Sequence, residues 1–141
     1  MATHASRNTT TGLTFEQQVD MTRKDGVNIS KTKLKKFLVD RGVNPLDYLS
    51  WMFQPDEAYY LPETNEVIIY EKKFQSTNGS ADEKLGACAW KISEYRSVFA
   101  AAGIPTVSYI YIFCDWFKQP RYEKLLKYIR SVDGCDYMFA D

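Results

Sequence analysis

Glu66-Val-Ile-Ile-Tyr-Glu-Lys-Lys-Phe-Gln75 is the stretch on which the fold turns. Four apolar residues, three of them β-branched, run straight into three charged ones, as in a buried strand that ends at a polar site. Upstream, Trp51-Met-Phe-Gln-Pro-Asp-Glu-Ala-Tyr-Tyr-Leu-Pro62 is rich in aromatic residues. The Glu63-Thr-Asn65 between them is turn-like, which predicts a β-hairpin or meander.

Around this hairpin the chain reads as helix and strand in alternation. Ser80-Ala-Asp-Glu83 has the form of a capping box for a long helix over about 81–101, with Leu85, Cys88, Ala89, Ile92, Val98 and Phe99 inward and Gly103-Ile-Pro105 as its stop. A strand is expected over 106–114, with Tyr109, Tyr111 and Phe113 on one core-facing side. Pro120 then starts a helix to about Val132, and 135–139 forms a last short strand. On the N-terminal side, Thr14 can cap a helix with Gln17 reaching back, and Ser30 can cap a second in which Leu34, Phe37 and Leu38 recur at helical spacing before Gly42. Asn44-Pro45 opens a short turn or helix to about Leu49. This order predicts a mixed α/β domain, one central sheet flanked by helices.

Composition narrows the function classes. The 141 residues are 45% hydrophobic and 26% charged, enough for one globular core and too few for two. Residues 1–12 are expected to be a flexible tail and 13–141 a single domain. No apolar run is long enough to span a membrane, and the polar first residues lack the apolar core of a secretory signal, so an intracellular, cytoplasmic protein is expected. Three scattered cysteines and one histidine, His4, argue against a structural zinc site and against Cys–His or Ser–His catalysis. The 18 acidic and 18 basic residues cancel, which disfavours coating nucleic acid by bulk charge but leaves room for local basic patches.

The chemistry concentrates at Pro55-Asp56 and Glu71-Lys72-Lys73. Strand alternation puts Glu71, Lys73 and Gln75 on one side and Lys72 and Phe74 on the other. If the hairpin pairs the start of one strand with the end of the other, Asp56 meets Glu71, and two carboxylates converge beside one ammonium. With a backbone carbonyl they make a hard oxygen site suited to Mg²⁺, with Mn²⁺ expected to substitute. Lys73 beside such an ion can serve the attacking water and offset charge on a phosphoryl group.

Here the chain resembles the PD-(D/E)xK phosphodiesterase superfamily, which includes many restriction endonucleases. The match is Pro55-Asp56, then Glu71-x-Lys73 at the end of the apolar strand 67–70, within an order of helix, three strands, helix and strand over about residues 14–115. The resemblance implies a restriction-endonuclease-like core, with Asp56 and Glu71 on the metal and Lys73 on the water. It further implies Glu16 as an extra metal-holding acid and Gln75 as a supporting residue of an E-x-K-x-Q pattern. An exposed first-turn acid is the other reading of Glu16, and an ordinary polar strand end the other reading of Gln75.

Basic clusters supply candidate phosphate contacts. Lys33, Lys35 and Lys36 crowd the second helix, Lys124 and Lys127 the last, and Ser80 closes a polar loop that leads into a helix N-terminus. The expected function is a Mg²⁺-dependent DNA endonuclease of restriction-enzyme type, acting on double-stranded DNA as a homodimer, because cutting both strands takes two sites. A Holliday-junction resolvase, a homing-type nuclease and an RNA-directed nuclease share the same chemistry. A non-catalytic nucleic-acid-binding module of the same fold is the reading from another class.

Overall fold

The computed structural model describes residues 12–76 and 84–140. Residues 1–11, 77–83 and 141 lie outside it, and with them the Ser80 cap, the Ser80 phosphate contact and all of the expected tail 1–12 except Gly12, which is helical. Five strands form one open mixed sheet in the order of the chain: β1 (Val27–Asn28), β2 (Glu57–Leu61), β3 (Glu66–Lys73), β4 (Thr106–Phe113) and β5 (Cys135–Phe139). β1, β2 and β3 are antiparallel, and β3, β4 and β5 are parallel. Parallel neighbours need crossovers, which α3 (Cys88–Ala101) and α4 (Glu123–Ser131) supply; α1 (Gly12–Gln18) and α2 (Lys33–Asp40) precede the hairpin. None of these helices is long and apolar enough to cross a membrane.

β3 is the central strand, buried from Val67 to Lys72. That two-sided burial is what the run Val67–Tyr70 encodes. On one face Ala58, Val67, Ile69, Tyr109, Tyr111 and Phe113 join the main core with Leu34 and Leu38 of α2 and Ile92, Tyr95 and Phe99 of α3. On the other face Tyr59, Leu61, Ile68, Tyr70 and Ile112 form a smaller core closed by Phe15 of α1.

Several boundaries differ from the sequence reading. α1 begins at Gly12, so Thr14 lies inside the helix rather than capping it; a cap contributes only about 1 kcal/mol, too little to pin a boundary. Ser30 does not cap α2: its hydroxyl accepts from Ala58 N at 2.9 Å. The edge strand β1 is only two residues long, so the buried backbone of β2 continues past it and takes Ile29 and Ser30 as partners. Of the expected long helix, the start near 81 lies outside the described residues; from Lys84 the chain passes through a 3₁₀ turn over Leu85–Ala87 into α3 at Cys88. Its inward set gains Tyr95, while Ala89 is only half-buried.

Gly134, at φ +86°, turns the chain into β5, and a Cβ there would come within 2.5 Å of Ile92 and Arg96. Gly134→Ala should therefore cost about 2 kcal/mol, from left-handed backbone strain plus overpacking. Gly86→Ala, where a Cβ meets nothing within 4 Å, should be close to neutral. Urea unfolding midpoints of the two variants check this.

Candidate active site

The β2–β3 register builds the site. Glu57 pairs with Tyr70, and the residue before Glu57 is Asp56, which arrives beside Glu71. Asp56 N donates to Glu71 Oε2 at 3.4 Å, and Lys72 N donates to Asp56 Oδ2 at 2.8 Å. The carboxyls of Asp56 and Glu71 also interact directly. Lys73 stands two residues along the same face of β3, about 6.6 Å further on, and its charge acts on Glu71. Glu16, at the end of α1, reaches the same point: its carboxyl hydrogen-bonds with that of Asp56. Asp56 is thus the middle of a line, Glu16–Asp56–Glu71. Among the described residues no group of three or more His, Cys, Asp or Glu is placed so that it could hold a metal ion.

The electrostatics follow from crowding. Glu71 is 9% exposed, and burial, reinforced by the charge of Asp56, pushes its pKa up to about 7; Lys73 and Lys91 pull the other way. Glu16 is raised too, by burial and then by Asp56, against the weaker pull of Lys31 and Lys72. A buried carboxyl whose ionisation a neighbouring carboxylate opposes is a donor that a hard divalent cation would relieve. Asp56 and Glu71 are thus two oxygen donors of the kind that a Mg²⁺ ion takes.

Four residues at or near this cluster have no role in it that the sequence assigns. Lys91 of α3 lies over the Phe53 ring at 5.2 Å and its charge reaches Glu71. Tyr95, one helical turn on, is buried, and burial with the charges of Glu71 and Asp56 drives its hydroxyl pKa far up, so it stays a neutral donor. Lys31 holds a left-handed conformation at φ 50°, with its N–H on Pro55 O at 2.8 Å. Lys72 is buried on the opposite face. The spacing of Lys91 and Tyr95 reads as helix surface and core, and only the packing of α3 brings them near β3.

The remaining candidates lie further out. Gln75 is buried and donates to Tyr122 Oη at 3.4 Å, an oxygen that Trp116 Nε1 and Arg121 Nη2 also approach at 2.8 Å. Lys33, Lys35 and Lys36 are exposed on α2, with Lys36 paired to Asp40 at 2.7 Å. Lys124 and Lys127 are exposed on α4, which packs by β5. The two clusters flank opposite edges of the sheet. No family model, curated protein or solved structure matches the chain.

In the metal-free protein Glu71 titrates in the fold near 7 and in the unfolded chain near its ordinary value of 4.5. Between those values only the folded state holds the proton, so stability is greatest below about 4.5 and falls as pH rises through 7. Glu71→Gln should flatten that slope and stabilise the protein at pH 8 by on the order of 2 kcal/mol. Denaturant titrations at pH 5 and pH 8 read both effects.

Proposed function

We propose that this protein is a Mg²⁺-dependent phosphodiesterase with a restriction-endonuclease-like core, an endonuclease acting on double-stranded DNA. The observation that carries the reading is the meeting of Asp56 and Glu71 at one end of β3, with Lys73 next on the same face. Buried strand ends favour apolar residues, so a paired acid and an ammonium there indicate a chemical task. The ion would supply Lewis-acid stabilisation of phosphoryl oxygens and a more acidic water.

The chain's own side chains do the rest. Asp56 and Glu71 would hold the ion, and the raised proton affinity of Glu71 means that its carboxyl would give up a proton near neutral pH to do so. Lys73 orients the attacking water and opposes the negative charge that grows as the new P–O bond forms and the old one breaks. Tyr95 and Lys91 keep the wall behind Glu71 neutral and positive, which favours an anionic substrate. The exposed lysines of α2 and α4 hold flanking phosphates. A homodimer supplies the second site that a double-strand cut requires.

Lys73→Ala should keep Mn²⁺ and DNA binding but lose about 10²–10⁴ in cleavage rate, whereas Asp56→Ala and Glu71→Ala should lose metal binding as well. Plasmid cleavage in Mg²⁺ against EDTA, with calorimetric Mn²⁺ titration, separates these outcomes; equal cleavage in EDTA, or a fully active Lys73→Ala protein, would overturn the reading.

Neutralising Lys33, Lys35 and Lys36 together should weaken DNA binding and reduce its salt slope by up to about 3, one for each phosphate that is no longer neutralised. The same measurement on Lys124 and Lys127 ranks the two clusters.

A further inference from the structure

We infer that Lys72 is a positioning residue for the acidic cluster: its ammonium clamps the end of α1 to the sheet and thereby brings Glu16 to Asp56. The relevance of this to metal binding rests on the phosphodiesterase reading; the geometry of the clamp does not.

Lys72 points away from Glu71 and Lys73, into the face that α1 covers. An ammonium there is costly unless every N–H is matched. All three are. Lys72 Nζ pairs with Glu57 Oε1 at 2.6 Å, the two side chains being 6% and 13% exposed. It donates as well to Glu16 O at 3.0 Å and to Val19 O. α1 ends at Gln18 and Val19 N is spent on Phe15 O, so Glu16 O is one of the carbonyls that a helix end leaves without an intrahelical partner. A cation at that end is favoured by the helix dipole too.

Glu57 completes the clamp. Its Oε1 accepts from Met21 N at 3.2 Å, and its Oε2 from Tyr59 Oη at 2.6 Å. The segment after α1 is therefore pinned to β2 as well. A seven-residue helix does not hold itself in water, so its position comes from Phe15 in the smaller core and from this ion pair. Meanwhile the backbone N–H of Lys72 holds Asp56 Oδ2 at 2.8 Å. One residue thus grips Asp56 through its amide and the backbone of Glu16 through its side chain, and the two carboxyls so held hydrogen-bond to each other.

A buried ion pair exchanged for apolar volume is often neutral for stability, which allows position to be separated from stability. In Glu57→Leu/Lys72→Met the urea midpoint should stay near wild type, while the Met21 amide exchanges at least tenfold faster. The Glu16 carboxyl ¹³C signal of the metal-free protein should respond to Asp56→Asn in the wild-type background and not in the double variant. Persistence of that response in the double variant overturns the inference. Should the double variant not fold, Lys72→Met alone is read in the same way. For the loaded site, Mn²⁺ affinity should fall about five- to tenfold in Lys72→Met and in Glu16→Gln, and no further when the two are combined. Multiplying losses, or an unchanged affinity in Lys72→Met, would likewise overturn it. If the wild-type protein binds no Mn²⁺, the phosphodiesterase reading fails, and the carboxyl signal still decides the clamp.

Discussion

The register between β2 and β3 is the constraint from which the rest follows. With Glu57 opposite Tyr70, Asp56 meets Glu71 on one face of the sheet, and Glu57 lies diagonally across from Lys72 on the other. A slip of one residue would exchange the faces, setting like charges together and leaving an ammonium unpaired in the main core. The register is held by two hydrophobic sets at once, Ala58, Val67 and Ile69 above and Tyr59, Leu61 and Ile68 below. Each set commits its own face, so the charges that follow have no freedom left to choose sides.

Consecutive residues 71, 72 and 73 accordingly do opposite things. Glu71 and Lys73 belong to the face where carboxyls crowd, and the proton affinity of Glu71 rises because its charge is buried and faces that of Asp56. Lys72 belongs to the face where charge is compensated, with an acceptor for each N–H. The sheet therefore separates an electrostatically unsatisfied surface from a satisfied one across a single backbone.

The remainder of the architecture serves this strand. The parallel partner β4 carries Tyr109, Tyr111 and Phe113, fully buried, as the floor of the main core. α3 crosses that floor and sets Tyr95 and Lys91 near Glu71. Just beyond the same end of β3, Gln75, Trp116 and Arg121 meet on the hydroxyl of Tyr122. That contact ties the strand end to the start of α4 and its basic face.

Much of this was legible in the linear order of residues, because it depends on local rules. Apolar runs mark strands, Asn65 and Gly103 adopt the left-handed conformations that end elements, and strand alternation alone puts Glu71 and Lys73 on one side. The convergence of Asp56 with Glu71 was readable as well, since a short hairpin leaves few registers. Lys72 was not, because a lysine beside two charged neighbours looks like solvated surface until α1 is folded over it. Nor was the role of Ser30, whose hydroxyl follows the backbone of β2 rather than its own helix, since nothing local reveals that β1 stops at two residues. The sequence by itself determined the elements, their order and the face of each charge, for these depend on periodicity and backbone geometry. Only the tertiary structure decided which charges are buried, which are paired and which helix end comes to rest on Lys72, because desolvation and Coulomb energies depend on distances between residues remote in the chain.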